Sequence, residues 1–538
     1  MTHREIEAKF ELLDPTQLDF WATTPTLATA FPLQPAVTVL QTDTYLDSAE
    51  YSLLRAGYVL RARAQAGNQL ITLKSLNSTG DALVHDRLEL EGPVKAGENP
   101  LQMKHWPDEI RHFVKSRIDV DTKWQPLCTL QQTRRKRDVL GGAELPPVAE
   151  LSIDQVIVYG PEFSLADAGA GTAQPVAQFQ EIEIELKPNQ AEALLKPLAE
   201  ALQAEPTLKP YRTSKFERAL ESISNSVFAG KKYVLSLQPT MHIAEACRLI
   251  WRRQLTQMLL VESGVCHSDD DEYIHKMRVA IRRARVATRL FDDYFQGKAV
   301  RRFDKILKRT GRLLGEVRDL DVARKKLKKF QAGQTQADLA ELDDHWHTAR
   351  KRARHALLAW LDSKKYSDFV ADFARFCKTP GKNAREYTFE PGEAPTPYQV
   401  RHVMPSLLVN RFERVRSFET LFETDQTIPA SILHLLRIEC KYMRYSLEFA
   451  NHLLGESGEQ LINTLKDLQD HLGELNDAAV SHRLLASLPA TMDTEAVNQY
   501  TNAQADLLDE LRKSLASDLQ QFLNSESRAK LAQAVMRI

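Results

Sequence analysis

The chain opens on strict alternation. In Arg4-Glu5-Ile6-Glu7-Ala8-Lys9-Phe10 charged and uncharged residues exchange at every step, the period of a β-strand, so Glu5, Glu7 and Lys9 share one face. Short alternating runs bounded by turn residues recur at Val39–Leu46, Tyr58–Arg63, Gln69–Lys74, Leu83–Glu91, Leu151–Val158 and Gln180–Lys187. They predict antiparallel strands as far as about residue 220, interrupted by helices near 107–117 and 190–203. Between about 222 and 240 the pattern lapses at Gly230, Lys231-Lys232 and Pro239, which marks a linker. Beyond Met241 the apolar spacing is helical almost to the end, apart from a Pro- and Gly-rich connector over 379–397. The fold class predicted is α+β and multidomain: a strand-rich domain at 1–221, a linker at 222–240 and a helical domain at 241–538.

The connector divides a repeat, with halves of about 241–378 and 398–538. Leu314-Gly-Glu-Val-Arg-Asp-Leu-Asp-Val322 echoes Leu472-Gly-Glu-Leu-Asn-Asp-Ala-Ala-Val480 at an offset of 158. His275, Arg278, Arg282, Arg285 and Arg289 step by three and four, as do His434, Arg437, Lys441, Arg444 and Glu448. One residue earlier runs an apolar stripe, Ile274-Met277-Ile281-Ala284 in the first copy and Leu433-Leu436-Cys440-Met443 in the second. Each helix therefore carries a core-facing stripe beside a basic one headed by histidine. Like charges on adjacent turns each cost a few tenths of a kcal/mol on an isolated helix. Paying that cost twice in the same phase points to a bound anion.

Composition sharpens the division. The net charge of −1 conceals 23 Lys+Arg against 31 Asp+Glu in the first 225 residues and 48 against 41 in the remainder. An acidic first part suits cations, and a basic second part suits an anionic partner. Five scattered cysteines without a CxxC pair indicate neither a disulfide framework nor a zinc site. Asn77-Ser78-Thr79 matches a glycosylation sequon, but the chain starts in a charged strand without a leader. A cytoplasmic protein with no membrane partner is expected, because no apolar run is long enough to span a bilayer.

Two carboxylates ~6–7 Å apart on one strand face, with an ammonium next in line, can hold a hard cation and a phosphate together. The same chemistry recurs in Glu181-Ile182-Glu183-Ile184-Glu185-Leu186-Lys187. Elsewhere the alternating charges are basic: Arg61 and Arg63, Lys74, Arg87 beside Glu89 and Glu91, Arg134 and Lys136. A barrel with a polar interior would turn these acids and bases towards one another across a lumen.

This ordered set, with a late Ser214-Lys215, resembles the CYTH domain of the triphosphate tunnel metalloenzymes over about residues 1–220. The resemblance implies an eight-stranded antiparallel barrel binding a triphosphate with a divalent metal, Mg²⁺ or Mn²⁺. It assigns Glu5, Glu7, Glu183 and Glu185 to the metal, with Asp154 beside them. To the phosphates it assigns Lys9, Arg61, Arg63, Lys74, Arg87, Arg134, Lys136 and Lys215, with Glu89 among the site residues.

The run His275-Lys-Met-Arg278-Val-Ala-Ile-Arg282-Arg283-Ala-Arg285, the following Gly315-Glu316-Val-Arg318-Asp319, and His434-x-x-Arg437-x-x-x-Lys441-x-x-Arg444-Tyr445 resemble the CHAD domain over about residues 240–530. That implies two helical bundles related by a pseudo-twofold axis, binding inorganic polyphosphate between basic helices. His275, Arg278, Arg282, Arg283, Arg285, Arg289, Arg318, His434, Arg437, Lys441 and Arg444 are the residues it places there. Asn476 stands where the first copy has Arg318, so the halves need not contribute equally.

Together the two resemblances imply metal-dependent hydrolysis of inorganic triphosphate to phosphate and pyrophosphate, beside a polyphosphate-binding module. The alternatives are adenylate cyclisation, hydrolysis of thiamine or RNA triphosphates, or a polyphosphate binder without catalysis. P-loop and kinase motifs are absent from the sequence. Nucleic acid is the rival partner, yet no aromatic interleaves the first basic stripe before Phe291.

Overall fold

A computed structural model describes all residues except 1, 28–30, 77–84, 96, 117, 119–121, 142–144, 164–173, 189, 212, 230–231, 236, 299, 333–338, 388–395, 423–427 and 493. For residues 2–5, 85–87, 192, 227–229, 232–235 and 490 the backbone alone is described. The chain forms two compact units, Met1–Leu235 with Thr256–Ser268, and Ser236–Leu255 with Asp269–Ile538.

In the first unit the alternating runs become one antiparallel sheet. Its strands are β1 (Thr2–Leu12), β2 (Val37–Asp47), β3 (Tyr58–Gln65), β4 (Asn68–Ser75), β5 (His85–Val94), β6 (Gln125–Leu140), β7 (Pro147–Tyr159), β8 (Ala177–Leu186) and β9 (Leu208–Pro210). Their order is β8-β7-β6-β2-β3-β4-β5-β1-β9, and β1 also pairs with β8. Thus β1 meets β5 over residues 2–7 and β8 over 7–11. The expectation of eight strands is corrected to nine. Leu208–Pro210 lies antiparallel to Phe10–Leu12, and a three-residue strand ending in proline shows no alternation by which to find it.

Local chemistry sets the register. Gln65 faces Asn68 across a two-residue turn in which Ala66 and Gly67 both have positive φ, the twist that suits a tight hairpin. Uncharged faces of the strands are buried on two sides. Ala8, Phe10, Ile153, Ile182 and Ile184 pack under the Leu195–Gln203 helix, and Leu60, Ile71, Leu73 and Leu90 pack with Trp106 and with Ile110 of the Asp108–Lys115 helix that follows it. With the outer faces covered, the charged residues of the same strands occupy the opposite face. Helix α1 (Lys215–Ser224) starts on a capping box in which Ser214 and Glu217 satisfy each other's backbone N–H groups.

The second unit is helical, and its helices include α2 (Ile243–His267, whose last turns belong to the first unit), α3 (Asp271–Phe291), α4 (Arg301–Ala332), α5 (Ala340–Leu361), α6 (Lys364–Lys378), α7 (Val400–Arg416) and α8 (Ala430–Ala486). Helix α8 is two helices broken at Gly455, whose φ of 64° and ψ of −161° are non-helical. A side chain there would be strained and its Cβ would lie 2.8 Å from Arg537. Among the described residues no helix is long and apolar enough to cross a membrane.

Candidate active site

A cavity of about 400 Å³ opens on the charged face of the sheet in the first unit. Eight strands and the start of α1 supply its walls. Its acidic end is built around Lys215. Seated at the capped N-terminus of α1, Lys215 directs Nζ to Glu181 at 2.6 Å, Glu183 at 2.7 Å and Asp154 at 2.9 Å. Arg134 donates two hydrogen bonds to Asp154, at 2.8 and 2.5 Å, and one to Glu183 at 2.6 Å. Lys9 bridges Glu7 at 3.0 Å and Glu183 at 2.9 Å. All of these carboxylates are buried.

Burial alone would raise each acid, and the outcome depends on its partners. At Asp154 burial is outweighed by Arg134 and Lys215, so the carboxyl stays below its ordinary range. Burial at Glu183 is overcome by Lys215, Lys9 and Arg134, which hold it well below. At Glu181 burial prevails over the single contact to Lys215, and its carboxyl is pushed up to about 7.

The opposite wall is basic. Asp43, fully buried, accepts two hydrogen bonds from Arg63 at 2.7 and 2.8 Å and one from Gln132 at 2.7 Å. Arg61 lies 3.6 Å from the same carboxylate and donates to Thr72 at 3.2 Å. Glu89 and Glu91 reach Arg61 at 3.8 and 3.6 Å, and Glu89 reaches Lys74 at 3.2 Å. Asp43 thus fixes a pair of guanidiniums that line the cavity. At another edge Lys136 meets Glu150 at 2.9 Å, and Lys187 meets Asp138 and Glu150 at 2.9 and 3.4 Å.

Of the residues singled out in the sequence, Glu7, Lys9, Arg61, Arg63, Lys74, Glu89, Arg134, Lys136, Glu183, Glu185 and Lys215 line this cavity. Asp154 is tied to it through Lys215 and Arg134. The side chains of Glu5 and Arg87 lie outside the described residues, although their backbones pair directly across β1 and β5. Sequence reasoning passed over Asp43, Gln132 and Glu150, and it quoted Glu181 and Lys187 in their run without assigning them to the site. Glu181 had a visible signal as the first of three alternating acids, whereas Asp43 becomes informative only when β2 is known to pair with β3, opposite Arg63.

Oxygen atoms of Asp154, Glu181 and Glu183 all lie within 4.8 Å of one another, and Glu181 Oε2 is buried without a hydrogen-bond partner. Hard oxygen donors around an unsatisfied carboxylate fit a divalent cation. Lys215 already places one positive charge among them, so cation and ammonium would share the three acids.

In the second unit the two basic stripes face each other. Arg282 donates to the Tyr445 hydroxyl at 2.6 Å, Arg289 to that of Tyr442 at 2.6 Å, and Arg283 to Glu448 at 2.6 Å. Arg285 pairs with Asp304 and Arg278 with Asp319, while Arg444 lies 3.6 Å from Glu448 and Arg318 pairs with Asp271. Lys441 sits where burial and then Arg282, Arg437, Arg278 and Arg444 drive its pKa down to about 5. Burial followed by the same kind of crowding also lowers Arg437, to about 10, and lowers His275 and His434. These groups, half-buried apart from the exposed Arg289 and His434, form a surface in which cations outnumber acids.

Residues 3–220 match the family model of the CYTH domain, and residues 249–486 that of the CHAD domain. No curated protein matches the chain. Among solved structures it is similar to the CHAD domain from the plant Ricinus communis, at 23% identity over 55% of this chain and 94% of that one, with a TM-score of 0.38. PptA from Streptomyces chartreusis is similar at 15% identity over 52% and 98%, TM-score 0.40. A putative adenylyl cyclase from Hippeastrum, described as having a dominant triphosphatase activity, is similar at 20% identity over 40% and 94%, TM-score 0.30.

Proposed function

Residues 3–220 form a CYTH domain and residues 249–486 a CHAD domain, and on that basis we propose that the chain hydrolyses inorganic triphosphate and binds inorganic polyphosphate. The observation that carries the first half is a cavity in which a guanidinium wall confronts a buried carboxylate group. We read the sheet as a tunnel, a reading supported by the pairing of β1 with both β5 and β8.

In this reading Arg61, Arg63, Lys74 and Lys136 take the oxygens of the triphosphate. Asp43 holds Arg61 and Arg63 in place before substrate arrives, so little reorganisation accompanies binding. Glu183, with Asp154, Glu181 and Glu7, makes the opposite end a site for a divalent cation, and β1 and β8 would bring Glu5 and Glu185 to it. When bound, such a cation supplies Lewis-acid polarisation of a phosphoryl oxygen. Lys9 and Lys215 stand between the acids and the phosphates and neutralise charge on both. Water adds to a terminal phosphorus, the bridging P–O bond breaks, and phosphate and pyrophosphate leave.

Phosphate release from tripolyphosphate, ATP and thiamine triphosphate, each with Mg²⁺, with Mn²⁺ and with excess chelator, tests the reading. The expected result is cleavage of tripolyphosphate that stops in chelator. Undiminished turnover in chelator removes the metal, and faster turnover of a nucleotide removes the inorganic substrate.

Asp43→Asn is expected to raise KM for tripolyphosphate by about tenfold or more while kcat changes less, because it weakens a binding wall instead of the reacting end. Equal losses in kcat and kcat/KM would place Asp43 in the transition state instead.

The second half rests on the facing stripes. The cations of α3 and α8 lie one helical turn apart, roughly 5–6 Å, a ladder that a flexible polyanion can meet without fixed register.

A further inference from the structure

The offset of 158 that relates Leu314–Val322 to Leu472–Val480 holds along the whole of α4. Buried Phe303, Leu307, Leu314, Val317 and Leu320 correspond to buried Leu461, Leu465, Leu472, Leu475 and Ala478. The two helices therefore present the same outer face, and it differs only in charge. On α4 it carries Arg301, Arg302, Lys305, Lys308, Arg309 and Arg312, all exposed. Their counterparts are Glu459, Gln460, Asn463, Lys466, Asp467 and Asp470, exposed as well. Six cations stand against a single cation and three acids at equivalent positions. The fold is indifferent to this face, since one core packs under both, so the cations on α4 are not a requirement of the repeat.

The ridge continues the basic stripe of α3. Arg285 of that stripe pairs with Asp304, and Lys308 follows one turn later on the same side of α4. Gly311 packs on Ile281, and Arg278 meets Asp319 beyond it. Few acids intervene along the ridge, where Arg312 pairs with Glu316 and Arg301 with Asp292. No exposed aromatic lies along it. Phe303 is buried, and the Trp360 ring is covered by Arg309 at 3.9 Å. A surface of cations without stacking platforms suits a bare polyanion more than a base.

We propose that the ridge of α4 is a second binding surface for polyphosphate, on which a chain too long for the space between the basic stripes leaves over the first repeat and not over the second. The inference rests on the polyphosphate reading given above and adds to it direction and selectivity for length. The eleven helical steps from Arg301 to Arg312 extend the track by about 16 Å.

The test replaces three ridge residues by those the second copy carries in the same phase, Arg302→Gln, Lys305→Asn and Arg312→Asp, in the full chain and in chelator. Binding of long-chain and short-chain polyphosphate is titrated against salt. Long chains are expected to bind about tenfold or more weakly, with the slope of log affinity against log salt shallower by about three, one per cation removed. Short chains bind as before, and Lys466→Asn in the second copy leaves both unchanged. Should the triple variant fold poorly by circular dichroism, Lys305→Asn alone is expected to lower the slope by about one. Unchanged long-chain affinity overturns the ridge while leaving the polyphosphate reading intact, and parallel losses for long and short chains overturn it by showing that the ridge acts on the stripes. A wild-type chain that binds neither polymer overturns both readings. Tighter, ridge-dependent binding of duplex DNA reassigns the surface to nucleic acid.

Discussion

Replacing Glu183 by glutamine is expected to lower kcat for tripolyphosphate by about 10²–10³-fold, the usual cost of losing one preorganised electrostatic group at a reacting centre. The carboxylate contacts Lys9, Arg134 and Lys215 at once, and those cations keep it ionised against the effect of its burial. Glutamine preserves the shape and removes the charge, leaving two buried lysines and the half-buried Arg134 with less to face. Taking away one partner of a buried pair costs about 3–5 kcal/mol, so the melting temperature of the first unit should fall too. Glu91→Gln provides the comparison. Its side chain is 39% exposed and lies 3.6 Å from Arg61, so the effects on both kcat and stability should be small. If Glu183→Gln retained wild-type kcat while melting lower, the acidic end would be structural and the proposed chemistry would fail.

Much of this site was legible because alternation does two things at once. It names a strand, and it states which residues share a face, so Lys9, Arg61, Arg63, Lys74 and Glu183 could be grouped before any pairing was known. What could not be read was the partner of each charge. Asp43 sits between Thr42 and Thr44 in a run that otherwise looks like an ordinary strand, and only the register opposite Arg63 shows why an acid is there. The longest strand, Gln125–Leu140, was legible only at Arg134 and Lys136, because Arg134-Arg135-Lys136-Arg137 hides the alternation under four consecutive cations. Two face the cavity, while Arg135 reaches Asp19 and Arg137 reaches the Trp21 carbonyl. In the helical unit the periodicity of α3 and α8 displayed both stripes, yet nothing in it revealed the break at Gly455. A glycine inside a helical pattern is often tolerated, and it is the positive φ that identifies this one as a boundary.

Lys441→Met is expected to stabilise the unliganded protein and to weaken polyphosphate binding, with a signature in pH that separates it from a mere loss of charge. In the folded chain burial and the guanidiniums of Arg282 and Arg278 on α3 and of Arg437 and Arg444 on α8 bring Lys441 to about 5, against an ordinary value of 10.5. Between those two values the unfolded chain holds more protons than the folded one, so the contribution of this group to stability rises with pH across the window. Its ammonium is thus least welcome where it would be charged, and methionine removes that burden. The melting temperature should rise by about 2–4 °C for each kcal/mol recovered. A polyanion seated between the stripes reverses the balance, because it favours the ammonium that the guanidiniums oppose. Binding then takes up a proton, and affinity falls as pH rises above about 5. His275 and His434 are also lowered from 6.5, and an anion would protonate them too, but their part ends near neutrality. The decisive range is therefore about pH 8–9, above the histidines and below Arg437, which is lowered to about 10, so that Lys441 is the group that still responds. Calorimetric titration there, in two buffers of different ionisation enthalpy, should show proton uptake for the wild type and none for Lys441→Met. Equal uptake in both proteins would mean that Lys441 does not meet the anion.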